Sequence, residues 1–293
     1  MLLALAALLL AVPTPEEQAL QLSRRIAHAA SAGHEVSAEI AKVEDPALRA
    51  ALQSQLDAPG LPAPAFALSH RADAEAALQG LGLLEGELPP LTGAGSFQAA
   101  PGGPCPDGHH AYPGGLAVHS LANLLHSLAL GAVYEKVYGV VAKKDWLRAA
   151  ALWHDEAKAL TLRWRDGGDC GRETLIAKTA AHHVLGIAAA IAHKLPPPLV
   201  VVIASAHAPP VKENFDRLCG WLRAGSILAT GKPDAVPCPS DRNHAPLEAF
   251  ITNSSDADYA LTGAASIAVV GSGGGWERFE KLHTQTELNL LNP

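Results

Sequence analysis

The chain has 293 residues, enough for one large domain or two small ones, and its 48% hydrophobic and 17% charged composition is that of a folded globular protein, not a disordered one. A net charge of −7 argues against general nucleic-acid binding, which calls for a basic face, but leaves small phosphorylated substrates open, because a metal centre binds phosphate whatever the net charge. Fourteen histidines against one methionine and five phenylalanines is a skewed usage that points toward metal binding.

Residues 2–12 form an apolar run of eleven, too short to cross a bilayer but suited to the core of an export signal. No Lys or Arg precedes it and Ala11-Val12-Pro13 is a poor cleavage site, so a buried first helix stands beside export, with export preferred. No other stretch has the unbroken apolar length of a transmembrane helix. Thr14-Pro15-Glu16-Glu17 is a helix entry: a capping hydroxyl, proline in the first turn, then acids at the positive end of the dipole. Two or three helices are expected from there to about residue 56, with breaks near Gly33 and at Asp45-Pro46. A Pro/Gly linker at 58–64, a short helix at 71–79 and an irregular Gly/Pro-rich segment at 85–108 follow.

Helices are then expected at 116–130, at 145–162 with Asp145 as cap, at 175–193 after a glycine-rich loop at 163–173, at 196–206, where the β-branched run leaves a strand open but the proline start and helical neighbours favour a buried helix, and at 213–230. A polar loop at 232–246, a short helix at 256–261, a glycine loop at 271–275 and an amphipathic helix at 276–291 complete the pattern. Strand signals are few, so the fold class is all-α. The organisation expected is a leader or first helix (1–12), an N-terminal helical region (13–100), a metal-binding domain (101–231) and a C-terminal extension packed on it (232–293). Cys105, Cys170, Cys219 and Cys238 form no C-x-x-C pair, which argues against a zinc knuckle; they would make two disulfides in an exported protein or be buried thiols in a cytoplasmic one.

The chemistry concentrates in four segments: HHAYPGGLAVHSL at 109–121, ALWHDEAK at 151–158, AHHVLG at 181–186 and SAHAPP at 205–210. Imidazole and carboxylate together suit Mn, Fe, Ni or Zn, and Mg with more oxygen ligands. His119, His154, Asp155, His182 and His207 are the expected ligands of one or two divalent ions. Neighbours on a helix point about 100° apart, so His154 and Asp155 reach one metal only near a helix end or where the backbone opens. Of the 182/183 pair His182 is taken as the ligand, with His183 pointing elsewhere. His126 reads as packing or surface, Trp153 and Trp164 as core, and Asp256 and Asp258 as helix-capping acids outside the site. The glycines at 271–275 are too loose for a phosphate loop.

GGLAVH at 114–119, HDEAK at 154–158, His182 with Gly186, and His207 resemble, in that order, the HD-domain superfamily of metal-dependent phosphohydrolases, over roughly residues 105–230. HHAYPGGL ahead of the first histidine is similar to the branch that contains RNA-trimming exonucleases. The resemblance implies a helical bundle in which Asp155 bridges two ions, His119 and His154 holding one and His182 and His207 the other. Water activated between them would attack a phosphoester, nucleotide-like substrates among them, with Asp155 and Lys158 catalytic and Lys158, His110 and Tyr112 toward the substrate. An ordinary polar turn is the alternative for His110 and Tyr112. Two positions depart from the pattern. Ala157 replaces a glycine, and Gly225 stands where a further aspartate is expected, so that Asp216, Asp234 or water would have to replace that ligand. The departure at Gly225 keeps a second reading open, a degenerate HD domain that binds a ligand or partner without turnover. An HD-type di-iron oxygenase is the third.

Overall fold

The computed structural model describes residues 12–57, 64–93, 95–106, 108–211, 214–240, 245–257 and 276. Helix α1 (Pro15–Arg25) begins as the sequence predicts: the Thr14 hydroxyl accepts from the Glu17 backbone N–H, and the Glu17 carboxylate accepts from Thr14 N at 2.8 Å. The first break falls at Ile26, not near Gly33, so α2 (Ala27–Ile40) runs through that glycine. Gly33 is there for close approach: a Cβ would lie 2.1 Å from the side-chain oxygen of Gln98. Three helices follow, α3 (Pro46–Asp57), α4 (Ala65–Ser69) and α5 (Arg71–Gly80).

The central helix α6 (Gly115–Tyr138) is 24 residues long and extends two turns past the expected end, stopping at the left-handed Gly139. Among the described residues it alone has the length and apolarity to cross a membrane. Its buried positions nonetheless include His119, Ser120, Asn123 and Ser127, a polar stripe that faces other helices. The predicted helix at 145–162 is two helices, α7 (Lys144–Trp153) and α8 (Lys158–Thr161), separated by a turn over residues 154–157. The predicted helix at 175–193 begins instead as a tight hairpin of β1 (Leu175–Ile176) and β2 (Thr179–Ala180), and only then becomes α9 (Ala181–Ala192). The turn residues Ala177 and Lys178 both have positive φ, a conformation that propensity reasoning does not foresee for them.

Helix α10 (Pro197–Ala204) and helix α11 (Phe215–Thr230) follow. Helix α12 (Leu247–Asp256) corrects the expectation of a helix starting at residue 256, since Asp256 is its last residue. The readings at 1–11, 58–63, 258–275 and 277–293 lie outside the described residues. The described part is all-α apart from the hairpin. One hydrophobic core runs from Ala32 of α2 to Ala249 of α12, with Trp153, Leu116, Leu124 and Leu185 fully buried in it. A second cluster joins Ala19 and Leu22 of α1 and Ile26 at its end to Tyr112 and Trp164 and to the Cys105–Cys170 disulfide; Cys219 and Cys238 form the other disulfide.

Candidate metal centre

The site is built on the break between α7 and α8. Trp153 ends α7 and donates from its indole to the carbonyl of Gly186 at 3.0 Å, and a Cβ on that glycine would lie 3.3 Å from the Trp153 carbonyl oxygen, so the end of α7 runs close against α9 there. The next residue, His154, caps the helix, and the backbone opens into the turn that carries Asp155. This satisfies the geometric condition for adjacent residues to reach one point.

Asp155 is fully buried, and its two oxygens serve different histidines. Oδ2 lies 3.1 Å from His119 Nε2 and 3.4 Å from His154 Nε2. Oδ1 lies 3.1 Å from His182 Nε2 and 3.2 Å from His207 Nε2. The structure thus brings together all five sequence-predicted donors, from α6, the α7–α8 turn, α9 and the segment after α10. Lys158 is there too, but buried: its Nζ donates to Asp155 Oδ2 and to the carbonyl of Gly102, both at 2.5 Å.

A sixth donor escapes the sequence pattern. Asp256, which reads in the sequence as a capping acid, places Oδ1 3.1 Å from His119 Nε2 and 3.2 Å from His154 Nε2, and Oδ2 3.0 Å from His207 Nδ1. Asn123, one turn beyond His119 on α6, donates to Asp256 Oδ1 at 3.2 Å, and Asn253 ties α12 to the carbonyl of Ala206 at 2.7 Å. A Cβ on Gly225 would meet Ile187 Cγ2 at 2.4 Å, so that glycine lets α11 close against α9.

The imidazoles are preset to offer Nε2. His154 Nδ1 lies 3.1 Å and 3.2 Å from the carbonyls of Ala151 and Ala150, which places its proton there. His182 Nδ1 lies 2.6 Å from Glu173 Oε2, and Glu173 Oε1 accepts from the His182 backbone N–H at 3.1 Å. The Nε2 atoms of His119, His154 and His182 are buried and make no hydrogen bond, although carboxylate oxygens lie beside each. With Nδ1 of His154 and of His182 tied to carbonyl and carboxylate oxygens, the Nε2 atoms of these rings, with that of His119, face a shared, oxygen-lined space, the donor set a divalent cation needs. Two groups of ligand atoms, His119/His154/Asp155/Asp256 and Asp155/His182/His183/His207, each lie within 4.8 Å of one another and share Asp155.

Without a cation the centre balances its charge with protons. Burial alone would push His154 down, but Asp155 and Asp256 outweigh it and raise its pKa to about 10. Burial would likewise raise the two aspartates, but Lys158 and His154 for Asp155, and His207 and His154 for Asp256, hold them well below the carboxylate range.

His110 has a left-handed backbone, and a Cβ on Gly115 would meet its carbonyl oxygen at 1.9 Å, so the second glycine of the GG pair allows this crowded turn. The rings of His109 and His110 lie 4.7 Å and 5.4 Å from that of His119, which puts both beside the centre. Tyr112 has no exposed surface and packs 5.6 Å from the ring of His28 and 6.0 Å from that of His110, in the wall of the site and not at its mouth. His183 does not turn away. Its Nδ1 is 2.5 Å from Thr179 Oγ1, and its ring stacks on His207 at 3.7 Å. His207, 19% exposed against at most 5% for His119, His154 and His182, marks where the centre opens.

A helical bundle with histidines gathered around a buried aspartate defines the class: an all-α protein with a candidate divalent-metal centre. No family model matches the chain, and no solved structure matches it. Its sequence is similar to a dihydroneopterin 2',3'-cyclic phosphate phosphodiesterase of Methanocaldococcus jannaschii, at 29% identity over 99 residues. The match takes in 34% of this chain and 39% of the relative, so the chain spans about two-fifths of the length of the curated protein it resembles.

Proposed function

We propose that the chain is a metal-dependent phosphohydrolase of HD-domain type that cleaves a phosphoester in a small, nucleotide-like substrate. The observation that carries this reading is the division of Asp155, whose oxygens each face a separate histidine pair. The similarity to a protein named as a cyclic-phosphate phosphodiesterase supports the same class of bond.

His119, His154, Asp256 and Oδ2 of Asp155 would hold one ion; His182, His207 and Oδ1 of Asp155 would hold the other. Mn, Fe, Ni, Zn and Mg are all compatible with such a mixed nitrogen and oxygen set. When bound, such ions polarise phosphoryl oxygens and lower the pKa of water enough to make a nucleophile near neutral pH. The protein's own share is placement. The buried carboxylates fix the ions' positions, Lys158 holds Asp155 and supplies positive charge on the side of Gly102, and the opening at His207 and His183 admits the phosphoryl group. His109 and His110 line the wall next to His119, where the rest of the substrate would lie. The motive for a non-catalytic reading is Gly225; Asp256, from another helix, would supply the carboxylate in its place, which favours the catalytic reading.

The test is to strip purified protein of metal, restore each divalent ion in turn, and assay a phosphomonoester, a linear phosphodiester and a 2',3'-cyclic nucleotide. Hydrolysis that depends on metal, and is lost with the bound ion in His154→Ala, is expected. Protein that takes up no divalent ion and cleaves none of the three would overturn the reading.

A further inference from the structure

We propose that Glu173 is a positioning residue for the half of the centre built from His182 and His207, and that the Cys105–Cys170 disulfide holds Glu173 at its post. The inference rests on the metal-centre reading above but concerns a residue outside the donor set.

Glu173 binds one residue twice. Its Oε2 lies 2.6 Å from the ring nitrogen Nδ1 of His182 and its Oε1 accepts from the backbone N–H of the same residue at 3.1 Å. Two contacts to one side chain and its own backbone fix the rotamer as well as the tautomer. The neutral ring then carries its proton on Nδ1 and turns Nε2 toward the space beside Asp155 Oδ1, 3.1 Å away. A carboxylate behind a ligand histidine also increases the electron density of the ring, which strengthens the bond to a cation.

Glu173 itself lies in an irregular stretch, which supplies no helix or sheet to hold it. Ties at either side define the stretch. Upstream, Arg163 pairs with Glu16 at 2.7 Å and the Trp164 indole donates to the Ala99 carbonyl at 2.8 Å. Downstream, Ala177 N donates to the Leu83 carbonyl at 2.6 Å and Ala181 N to the Thr174 carbonyl at 2.9 Å. Between these, the covalent tie is the bond from Cys170 to Cys105. Cys105 in turn belongs to the loop whose Gly102 carbonyl receives Lys158 and whose Gly102 N donates to the His110 carbonyl at 2.8 Å. One crosslink therefore joins the segment behind Asp155 Oδ2, through Lys158, to the segment behind Asp155 Oδ1, through Glu173 and His182.

The experiment compares wild type, Glu173→Gln, Glu173→Ala and the double variant Cys105→Ser/Cys170→Ser, with Cys219→Ser/Cys238→Ser as control. The ring tautomer of His182 is read in metal-free protein by 15N NMR on the alkaline side, where the ring is neutral, and Mn or Zn affinity by titration. In Glu173→Ala we expect His182 to lose its fixed Nδ1–H form, one of two ions to bind about 10–100-fold more weakly, and kcat to fall with KM little changed. Glu173→Gln, whose amide oxygen still accepts from Nδ1, recovers most of this. The Cys105/Cys170 variant weakens the same ion by a smaller factor and the control variant does not. Should Glu173→Ala keep the Nδ1–H tautomer and bind both ions as wild type does, the positioning role is overturned while the metal centre stands. Wild type that binds no ion overturns the functional reading, and the tautomer result alone then decides whether Glu173 orients His182.

Discussion

Asp155 and Asp256 share the same three imidazoles. His119 and His154 each place Nε2 within 3.4 Å of an oxygen of both carboxylates, and His207 reaches Asp155 with Nε2 and Asp256 with Nδ1. Two buried acids with imidazoles between them and one lysine alongside make a compact centre whose charge is poised for a divalent guest.

Removing the second acid tests the arrangement directly. Asp256→Ala takes an oxygen from the side of the centre held by His119 and His154, leaving the His182 side with its ligands. Mass spectrometry under native conditions should show one divalent ion lost or weakened and the other kept, with kcat down by about 100-fold, the upper range seen when even supporting contacts of a metal site are lost. Two ions bound at wild-type affinity would remove Asp256 from the centre.

The pH dependence follows from the metal-free charge state. His154 is raised from 6.5 to about 10, because Asp155 and Asp256 outweigh the opposing effect of burial. Its contribution to stability is therefore complete below the unfolded-state pKa of 6.5 and is lost as pH rises through about 10. Asp155 and Asp256 are depressed from 3.8, so their contribution is present above that value and disappears as pH falls through their lower folded values. In chelator, the loss of the His154 contribution should appear as a decline of Tm on the alkaline side, as pH rises through about 10. Metal affinity runs the other way over the upper range, because an ion must displace the His154 proton, and it should gain up to about tenfold per pH unit for each proton displaced. A metal-free Tm that does not fall on the alkaline side would show that His154 carries no such proton.

Lys158 separates the two charge states. Lys158→Met keeps much of the stem and removes the cation, leaving Asp155 without the partner 2.5 Å away. Breaking a buried pair on one side costs about 3–5 kcal/mol, so the metal-free variant should melt well below wild type. Bound ions neutralise Asp155 in its place, so the gain in Tm on adding metal should be larger in the variant than in wild type. Equal gains in the two proteins would mean that the lysine and the ions act on different groups.

The helical class and the five side chains that meet around Asp155 were legible because they are carried by local signals. GGLAVH, HDEAK and the histidines at 182 and 207 sit in recognisable segments, and the capping box at Thr14 and Glu17 is read from spacing alone. The rest depends on contacts between distant segments. Asp256 looks like any acid near a helix terminus until α12 is packed on α6. Glu173 lies in a glycine-rich loop with no motif around it, and its role appears only when the hairpin and the disulfide bring it to His182. The hairpin at 175–180 was hidden because its turn uses Ala177 and Lys178 at positive φ, where glycine or asparagine would have given the signal.

Gly225 supplies the last prediction, and it runs against family analogy. Restoring the expected acid with Gly225→Asp looks like a repair when judged by sequence pattern. In the folded chain that position serves packing instead, because a Cβ there would fall 2.4 Å from Ile187 Cγ2 and 3.3 Å from the Ala188 backbone nitrogen, at the seam where α11 meets α9. Even Gly225→Ala forces the helices apart, at a cost of about 1–3 kcal/mol for an overpacked core, or roughly 2–4 °C of Tm per kcal/mol in a chain of this size. Gly225→Asp adds a buried carboxylate to the same clash and should lower Tm further, without raising metal stoichiometry or kcat. A Gly225→Asp protein as stable as wild type, with tighter metal binding, would restore the pattern-based assignment and displace Asp256 from it.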